Sequence, residues 1–317
     1  MKVHAYVAAN IFLLIFLFLF SGCQKEQIQI KQHDDDYRGH ELPVSKGAEG
    51  IGLSFYSENK TIEKERTFTL KEDFFKKTLV LENKTSEDLE FILLLFDNGK
   101  QVQFKIDGTS MDSYIFHTKS GNITPIHIEK GIDDGFHSLS YLIIKNPNKK
   151  YETIEEAFND SQIYSVRVNI LKNISKIPSN NTPIFQAKNE DFEVQGTVSG
   201  VLIGKNKEKY KPILSKNLGG FDYQLVFGNQ WDKEVDFYVV TLLNWKQIKI
   251  DSKHLYVYDK LKSGEEKSIT SSIQKNQLKE GRNVLVSLFL PSPYKNLNKN
   301  TPFVDAEFMS SNRVIIE

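Results

Sequence analysis

The chain contains one cysteine and has no net charge, and both facts exclude classes of protein. Cys23 is the only cysteine among 317 residues, so no disulfide can form within the chain and the fold depends on its own core. The 41 basic and 41 acidic residues cancel, which argues against nucleic acid as a partner, because phosphate binding needs a basic surplus. The same balance argues against electrostatic attachment to an anionic membrane.

The sequence also lacks the motifs of several enzyme classes. No Gly-rich phosphate loop follows a predicted strand, and no Gly-x-Ser-x-Gly elbow is present. His33, Asp34, Asp35, Asp36 and His40 are of metal-ligating types, but they lie in a segment without periodic apolar residues. Ordering such a segment costs about 1 to 2 kcal/mol per residue. We therefore predict no cofactor, no metal and no catalytic site.

Two further groups of histidines contain residue types found in active sites. His137 and Ser138 are neighbours on a predicted strand and point to opposite faces, so they cannot act together as base and nucleophile. His117 and His127 flank the Ser120-Gly121 turn and are expected to face each other across a hairpin. With no third ligand in sight, we predict a solvated pair rather than a metal site.

An apolar run lies near the beginning of the chain. It extends from Ala5 to Phe20, follows Lys2, and is followed directly by Ser21, Gly22 and Cys23. This arrangement resembles the signal peptide of a bacterial lipoprotein. In that family, small residues before the cysteine let the signal peptidase approach the backbone, and the cysteine sulfur carries the lipid.

The resemblance implies a signal peptide at 1–22 and a lipid on Cys23, with the mature protein on the bacterial cell membrane, facing outside the cytoplasm. The alternative is a signal anchor with an incidental thiol. The apolar run is only about sixteen residues long, which is short for a spanning helix. The next segment, 23–47, contains the acidic run at 34–36 and has almost no periodic apolar residues, so we interpret it as a flexible tether.

The rest of the chain contains an internal duplication. Identical residues recur at one constant spacing of 146 residues, the distance from Asn83 to Asn229, whereas chance matches would scatter over many spacings. The aligned segments are Thr78–Phe91 with Gln224–Phe237, Asn98–Phe104 with Asn244–Ile250, and Gly135–Pro147 with Gly281–Pro293. A period this long is a whole domain. We predict domains at 48–175 and 185–317, with a linker at 176–184 that contains two prolines.

The sequence pattern of each copy predicts a series of β-strands. Leu89 to Phe96 and Val235 to Leu243 are apolar runs typical of a central strand that is covered on at least one face. Asn98-Gly99 predicts a two-residue hairpin, because both residues tolerate positive φ. Some seven to nine short strands in roughly 130 residues indicate an all-β fold of two homologous antiparallel β-sandwiches, which resemble immunoglobulin or fibronectin domains.

One short helix is predicted, in the first domain only. Thr153 and Glu156 have the spacing of a capping box, and Ile154 and Phe158 follow at helical spacing. The second copy has the polar stretch 295–300 at the corresponding place.

The two tryptophans are the candidate binding residues. Trp231 corresponds to Thr85 of the first copy and Trp245 to Gly99, so both fall where turns or strand ends are predicted. A large aromatic side chain at a turn is typical of a recognition site. The alternative is that each ring folds back over the edge of its own domain.

These features favour a lipid-anchored, non-enzymatic bacterial cell-surface protein that binds an envelope protein or glycan or has a structural role. The alternative is a secreted hydrolase, or an inhibitor of one, with a site between the two domains. A solute-binding lipoprotein is less compatible with the pattern, because it resembles α/β sheets with crossover helices.

We predict that Cys23→Ser will release the protein to the medium or leave an uncleaved precursor, because the lipid has no other attachment point. Membrane fractionation and metabolic labelling with a fatty acid will check this. Membrane retention of the variant at its mature size would contradict the prediction.

Overall fold

The computed structural model describes residues 49–153, 155–156, 163–179, 188–189, 198–205, 208–298, 300 and 308–317. The predicted signal peptide, Cys23 and the tether lie outside the described residues, as does half of the predicted linker. All described residues belong to one compact unit. The domain boundaries remain predictions.

Two sheets pack face to face between residues 51 and 172, and we call this part sandwich 1. Sheet 1 has the spatial order β1 (Ile51–Tyr56), β3 (Phe74–Asn83), β9 (Ile123–Gly131), β6 (Phe104–Ile106) and β7 (Thr109–Met111). Sheet 2 has the order β2 (Thr67–Leu70), β11 (Ile163–Lys172), β10 (Gly135–Lys145), β4 (Leu89–Asp97) and β5 (Lys100–Gln101), and β8 (Ser113–Thr118) also pairs with β4.

The second pair of sheets lies between residues 188 and 316, and we call it sandwich 2. Sheet 3 has the order β15 (Ser215–Lys216), β23 (Val314–Ile316), β21 (Asn283–Pro291), β17 (Val235–Leu243) and β18 (Lys246–Ile248), with β19 (Tyr256–Leu261) on β17 and β22 (Met309–Ser310) on β21. Sheet 4 has the order β12 (Lys188–Asn189), β20 (Glu266–Ile273), β16 (Phe221–Gly228), β13 (Gly200–Lys205) and β14 (Glu208–Pro212). A 3₁₀ turn at Lys275–Gln277 follows β20.

The predicted all-β, antiparallel fold is confirmed. Among the described strands, every pairing is antiparallel except β2 with β11 and β15 with β23, which are parallel. The order β1-β3-β9 in one sheet and β11-β10-β4 in the other matches the A-B-E and G-F-C strands of an immunoglobulin-type sandwich. The connection after β4 differs from that fold, because the chain visits sheet 1 as β6 and β7 before it returns to sheet 2 as β8.

The internal duplication is visible in the hydrogen bonds as well as in the strand order. The side-chain amide of Asn83 donates to the carbonyl oxygen of Glu87 at 2.8 Å, and that of Asn229 donates to Lys233 at 2.7 Å. Both asparagines are fully buried. A buried amide needs partners, so the same residue closes the same loop in both copies.

The predicted Asn98-Gly99 hairpin is confirmed. Phe96 pairs with Gln101 across a two-residue turn, and Asn98 and Gly99 both have positive φ, at 49° and 77°. The corresponding turn of sandwich 2 is Asn244-Trp245, with φ of 52° and 65°. A left-handed backbone is uncommon for a bulky residue, so Trp245 is held there by its surroundings.

The predicted helix is seen only at its first turn. The hydroxyl of Thr153 accepts a hydrogen bond from the Glu156 amide at 3.1 Å, as the capping box requires. Residues 155 and 156 have helical backbone. The Glu156 carboxylate accepts a hydrogen bond from the amide of Glu152 at 3.0 Å. Residues 154 and 157–162 lie outside the described part of the chain.

The central strands are buried on both faces. On β4, the side chains at 89, 91, 93 and 95 point into sandwich 1, while Ile92, Leu94 and Phe96 join a cluster shared with sandwich 2. On β17, Phe237 and Val239 point into sandwich 2, and the alternate residues join the shared cluster. Sheets 2 and 3 therefore pack against each other, and the described part of the chain is a four-layer stack of sheets 1, 2, 3 and 4.

The cluster between the inner sheets is large and almost entirely apolar or aromatic. From sandwich 1 it contains Ile92, Leu94, Phe96, Leu142 and Ile144, and from sandwich 2 it contains Tyr238, Val240, Leu242, Trp245, Tyr258, Val284, Val286, Leu288, Leu290, Phe308 and Ile315. Apolar contact area of this kind makes a permanent interface.

We predict that the two sandwiches stay together after the linker is cut. A protease site inserted after Ser179 should give two fragments that separate in denaturant but co-elute as one particle in native gel filtration, because separation would expose the shared cluster to water. Two half-sized species under native conditions would contradict this. The same site appended to the C-terminus serves as the control for protease treatment.

Candidate binding surfaces

The first candidate surface is an open cleft on the outer face of sheet 1. It has a volume of about 380 Å³ and lies over β3 and β9, beside the loop at 58–60 and the β6–β7 hairpin. The cleft follows from the alternation of β3, where Phe75 and Leu79 point into the core and Lys76 and Thr78 point outward. At its floor the Thr78 hydroxyl and His127 Nδ1 are 2.8 Å apart.

Charged side chains line this first cleft. The ammonium groups of Lys76 and Lys105 lie 3.2 Å and 3.3 Å from the Glu129 carboxylate. The hydrogen bond from Lys76 is the main reason that the pKa of Glu129 is lowered, so the carboxylate is ionised at neutral pH. The remaining charged lining residues are Glu58, Lys60, Lys77 and Asp107.

The second candidate surface is a cleft of about 650 Å³ on the outer face of sheet 4. Its lining is mostly uncharged and polar, namely Ser252, Thr270, Ser271, Ser272, Gln274, Asn276 and Gln277, with Asp222, Lys249, Ile250 and Asp251. Burial raises the pKa of Asp251, but the hydrogen bonds from the His254 ring and the backbone amides at 253 and 254 outweigh burial and lower it. The carboxylate of Asp251 therefore holds the 249–254 loop in place.

The two clefts occupy equivalent positions in the duplicated fold. Lys76 on β3 corresponds to Asp222 on β16 at the spacing of 146 residues. The neighbouring strands β9 and β20 also correspond, but at a spacing of 143 residues. Leu79 pairs with Ile126 in sheet 1, and its counterpart Leu225 pairs with Ile269 in sheet 4. At this spacing His127 corresponds to Thr270. Charged residues of the first cleft are thus replaced by hydroxyl groups or by charge of the opposite sign in the second.

His137 is a structural histidine. It is buried, its Nδ1 lies 2.7 Å from Asp97 Oδ2, and its Nε2 lies 2.9 Å from the carbonyl oxygen of Asp133. Burial lowers its pKa, but the hydrogen bond and charge of Asp97 together with the Asp133 carbonyl outweigh burial and raise it. The two ring nitrogens are used in holding the turn before β10, which leaves neither for a reaction with Ser138.

The expected pairing of His117 with His127 is wrong. His117 is on β8, which joins sheet 2 through β4, whereas His127 is on β9 in sheet 1. The Ser120-Gly121 turn therefore connects two sheets rather than two paired strands. His117 instead lies 3.2 Å from Glu90 on the surface.

The structure places the two tryptophans differently. Trp245 is only 6% exposed and belongs to the cluster between the inner sheets, so its ring contacts the other sandwich rather than solvent. Trp231 is half-buried at the edge of sandwich 2, where its ring lies 6.2 Å from that of Phe289. A recognition role for Trp231 remains a prediction.

One small cavity lined by described residues lies between the sandwiches. The cavity described there is bordered by both inner sheets and has a volume of about 10 Å³, which is the size of one water molecule. Within the described residues no group of three or more His, Cys, Asp or Glu side chains is arranged to hold a metal ion. None of the helices in that part of the chain is long and apolar enough to span a membrane.

No protein-family model matches the chain, and no curated protein matches its sequence. The solved structures that are similar in part include the following three. The transglutaminase of red sea bream is 8% identical with a TM-score of 0.23; the match covers 84% of this chain, which spans only 31% of that protein. The CsuC–CsuE chaperone and tip adhesion subunit complex of Acinetobacter baumannii pili is 10% identical with a TM-score of 0.26, covering 82% of this chain and 97% of that one.

The third similar structure is the ASH/PapD-like domain 7 of human CEP192, which is 12% identical with a TM-score of 0.23. The match covers 41% of this chain and 89% of that domain. All three TM-scores lie far below 0.5, so these likenesses decide nothing about the function of this chain.

We predict that Asp97→Asn destabilises the protein more at about pH 5.5 than at about pH 8.5. The folded pKa of His137 is above its ordinary value of about 6.5, so the stabilisation from its protonation is fully present below that pH and is lost as the pH rises through the folded pKa. Thermal melts at the two pH values will measure the difference.

The matched control for this experiment is Glu90→Gln, which removes the partner of the exposed His117. An exposed pair contributes little, so this variant should melt like the wild type at both pH values. Equal destabilisation by Asp97→Asn at both pH values would contradict the role given to protonated His137.

Proposed function

We propose that this protein is a lipid-anchored, non-enzymatic protein of the bacterial cell surface, which binds an envelope protein or glycan through the outer sheets of its β-sandwiches. One observation carries the proposal. Sheets 2 and 3 bury each other, so the outer faces of sheets 1 and 4, each with an open polar cleft, are the broad surfaces left for a ligand.

The chemistry of the described residues supports binding more than catalysis. His137 is tied to Asp97 and the Asp133 carbonyl. His127 Nδ1 lies 2.8 Å from the Thr78 hydroxyl at the floor of the first cleft, and the exposed His117 lies 3.2 Å from Glu90. Among the described residues, the cavity bordered by both inner sheets has a volume of about 10 Å³, which does not favour the hydrolase alternative, because that needs a substrate-sized space between the domains.

The lipid on Cys23 gives this proposal its attachment point, because two or three acyl chains hold a protein firmly at a membrane.

We predict that one cleft, and not its counterpart, mediates capture from envelope extracts. In the soluble form that lacks residues 1–23, Lys76→Ala with His127→Ala alters the first cleft, and Asp222→Ala with Thr270→Ala alters the equivalent positions of the second. We expect one double variant to weaken binding of the captured component by about tenfold or more at an unchanged melting temperature, since exposed residues contribute little to stability.

Each double variant is the matched control for the other, because their substitutions occupy equivalent positions of the duplicated fold. Undiminished binding by both variants would exclude the clefts as the binding surfaces. Turnover of an envelope component by the soluble protein would exclude the non-enzymatic part of the proposal.

A further inference from the structure

The contacts between sandwich 1 and sandwich 2 are reciprocal. The backbone amide of Gln101 donates to Gln247 Oε1 at 2.7 Å, and the amide of Gln247 donates to Gln101 Oε1 at 2.6 Å. Gln101 Nε2 donates to the Trp245 carbonyl at 2.9 Å, and Gln247 Nε2 donates to the Gly99 carbonyl at 2.8 Å. The two glutamines, like Gly99 and Trp245, are separated by the 146 residues of the duplication.

A second reciprocal pair lies at another part of the same interface. Arg167 donates to the carbonyl oxygens of Pro291 and Ser292 at 2.6 Å and 2.5 Å. Arg313, its counterpart at the same spacing, donates to the carbonyl oxygens at 145 and 146 at 2.8 Å and 2.6 Å. The acceptors also correspond at the spacing of 146 residues.

Reciprocity of this kind is the mark of an isologous interface, in which residue i contacts j and j contacts i. The two halves of one chain are therefore packed in the manner of a symmetric homodimer. With these hydrogen bonds alone, each half would fit a copy of itself as well as it fits the other half. Any selectivity must come from positions where the two faces differ.

The faces differ in size at one pair of facing positions. A Cβ atom on Gly99 would lie 2.8 Å from two ring carbons of Tyr238, so the tyrosine ring needs the glycine. The counterpart of Gly99 is Trp245, and the counterpart of Tyr238 is Ile92. Ile92 and Trp245 belong to the same buried cluster. Tyr238 thus faces the small Gly99, and the symmetry of the interface places the large Trp245 opposite Ile92.

We infer that the inner face of each sandwich is selective for the other sandwich of the chain and rejects a copy of itself. Pairing sandwich 1 with its own copy would set Gly99 against Ile92 and leave a void, which is destabilising. Pairing sandwich 2 with its own copy would place the rings of Trp245 and Tyr238 against each other in a space that holds only one large side chain, which overpacks the interface. The partner that fits each face is the opposite face, and repulsion between like faces supplies the specificity.

The test uses the full chain and a glycine control. Gly99→Ala and Gly108→Ala both place a side chain at positive φ, at 77° and 80°, but a Cβ on Gly108 has open space around it. We expect Gly99→Ala to lower the melting temperature by at least about 4 °C more than Gly108→Ala. In a Tyr238→Ile background this excess should vanish, because the ring that the new methyl group meets is gone.

A four-residue exchange provides the second measurement. Trp245→Gly or Gly99→Trp alone should lower the melting temperature strongly. The exchange of both pairs, with Ile92→Tyr, Tyr238→Ile, Gly99→Trp and Trp245→Gly together, reverses the order of large and small residues and should recover at least half of that loss. Two results would overturn the inference. One is a larger loss of melting temperature for Gly99→Ala than for Gly108→Ala that persists in the Tyr238→Ile background. The other is a four-residue variant that melts no higher than the single variants.

Discussion

Burial of apolar side chains on both faces of the inner strands is the constraint on which this structure depends. The core of sandwich 1 covers one face of β4 and leaves Ile92, Leu94 and Phe96 on the other face uncovered. The same holds for β17 in sandwich 2. Exposure of such a contiguous apolar face to water would be energetically unfavourable. Each sandwich therefore covers the apolar face of the other, and the duplication doubles the number of layers.

The sequence predicts much of this architecture because the relevant signals are local. The Asn98-Gly99 turn and the constant spacing between Asn83 and Asn229 can both be read from the sequence of a single chain. The apolar run of β4 indicates a covered strand. It cannot identify the covering element, since the partner is a sheet about 146 residues away and the run would look the same beneath a helix or another subunit.

The errors and omissions have a common physical source in non-local pairing. β8 and β9 flank a short turn and look like a hairpin, yet β8 pairs with β4 and β9 with β3, because the two strands complete different sheets. The clefts are equally hidden, since each combines outward residues of neighbouring strands with loops distant in sequence. Trp245 was a natural candidate for recognition, and its partner is the other half of its own molecule.

The four-layer stack also fixes where the two clefts can act. Packed sheets lie about 10 Å apart, so the outer faces of sheets 1 and 4 are separated by about 30 Å of filled protein and look in opposite directions. One small ligand cannot reach both clefts. Simultaneous occupancy would therefore join two separate objects on opposite sides of the molecule, at a distance set by three sheet spacings.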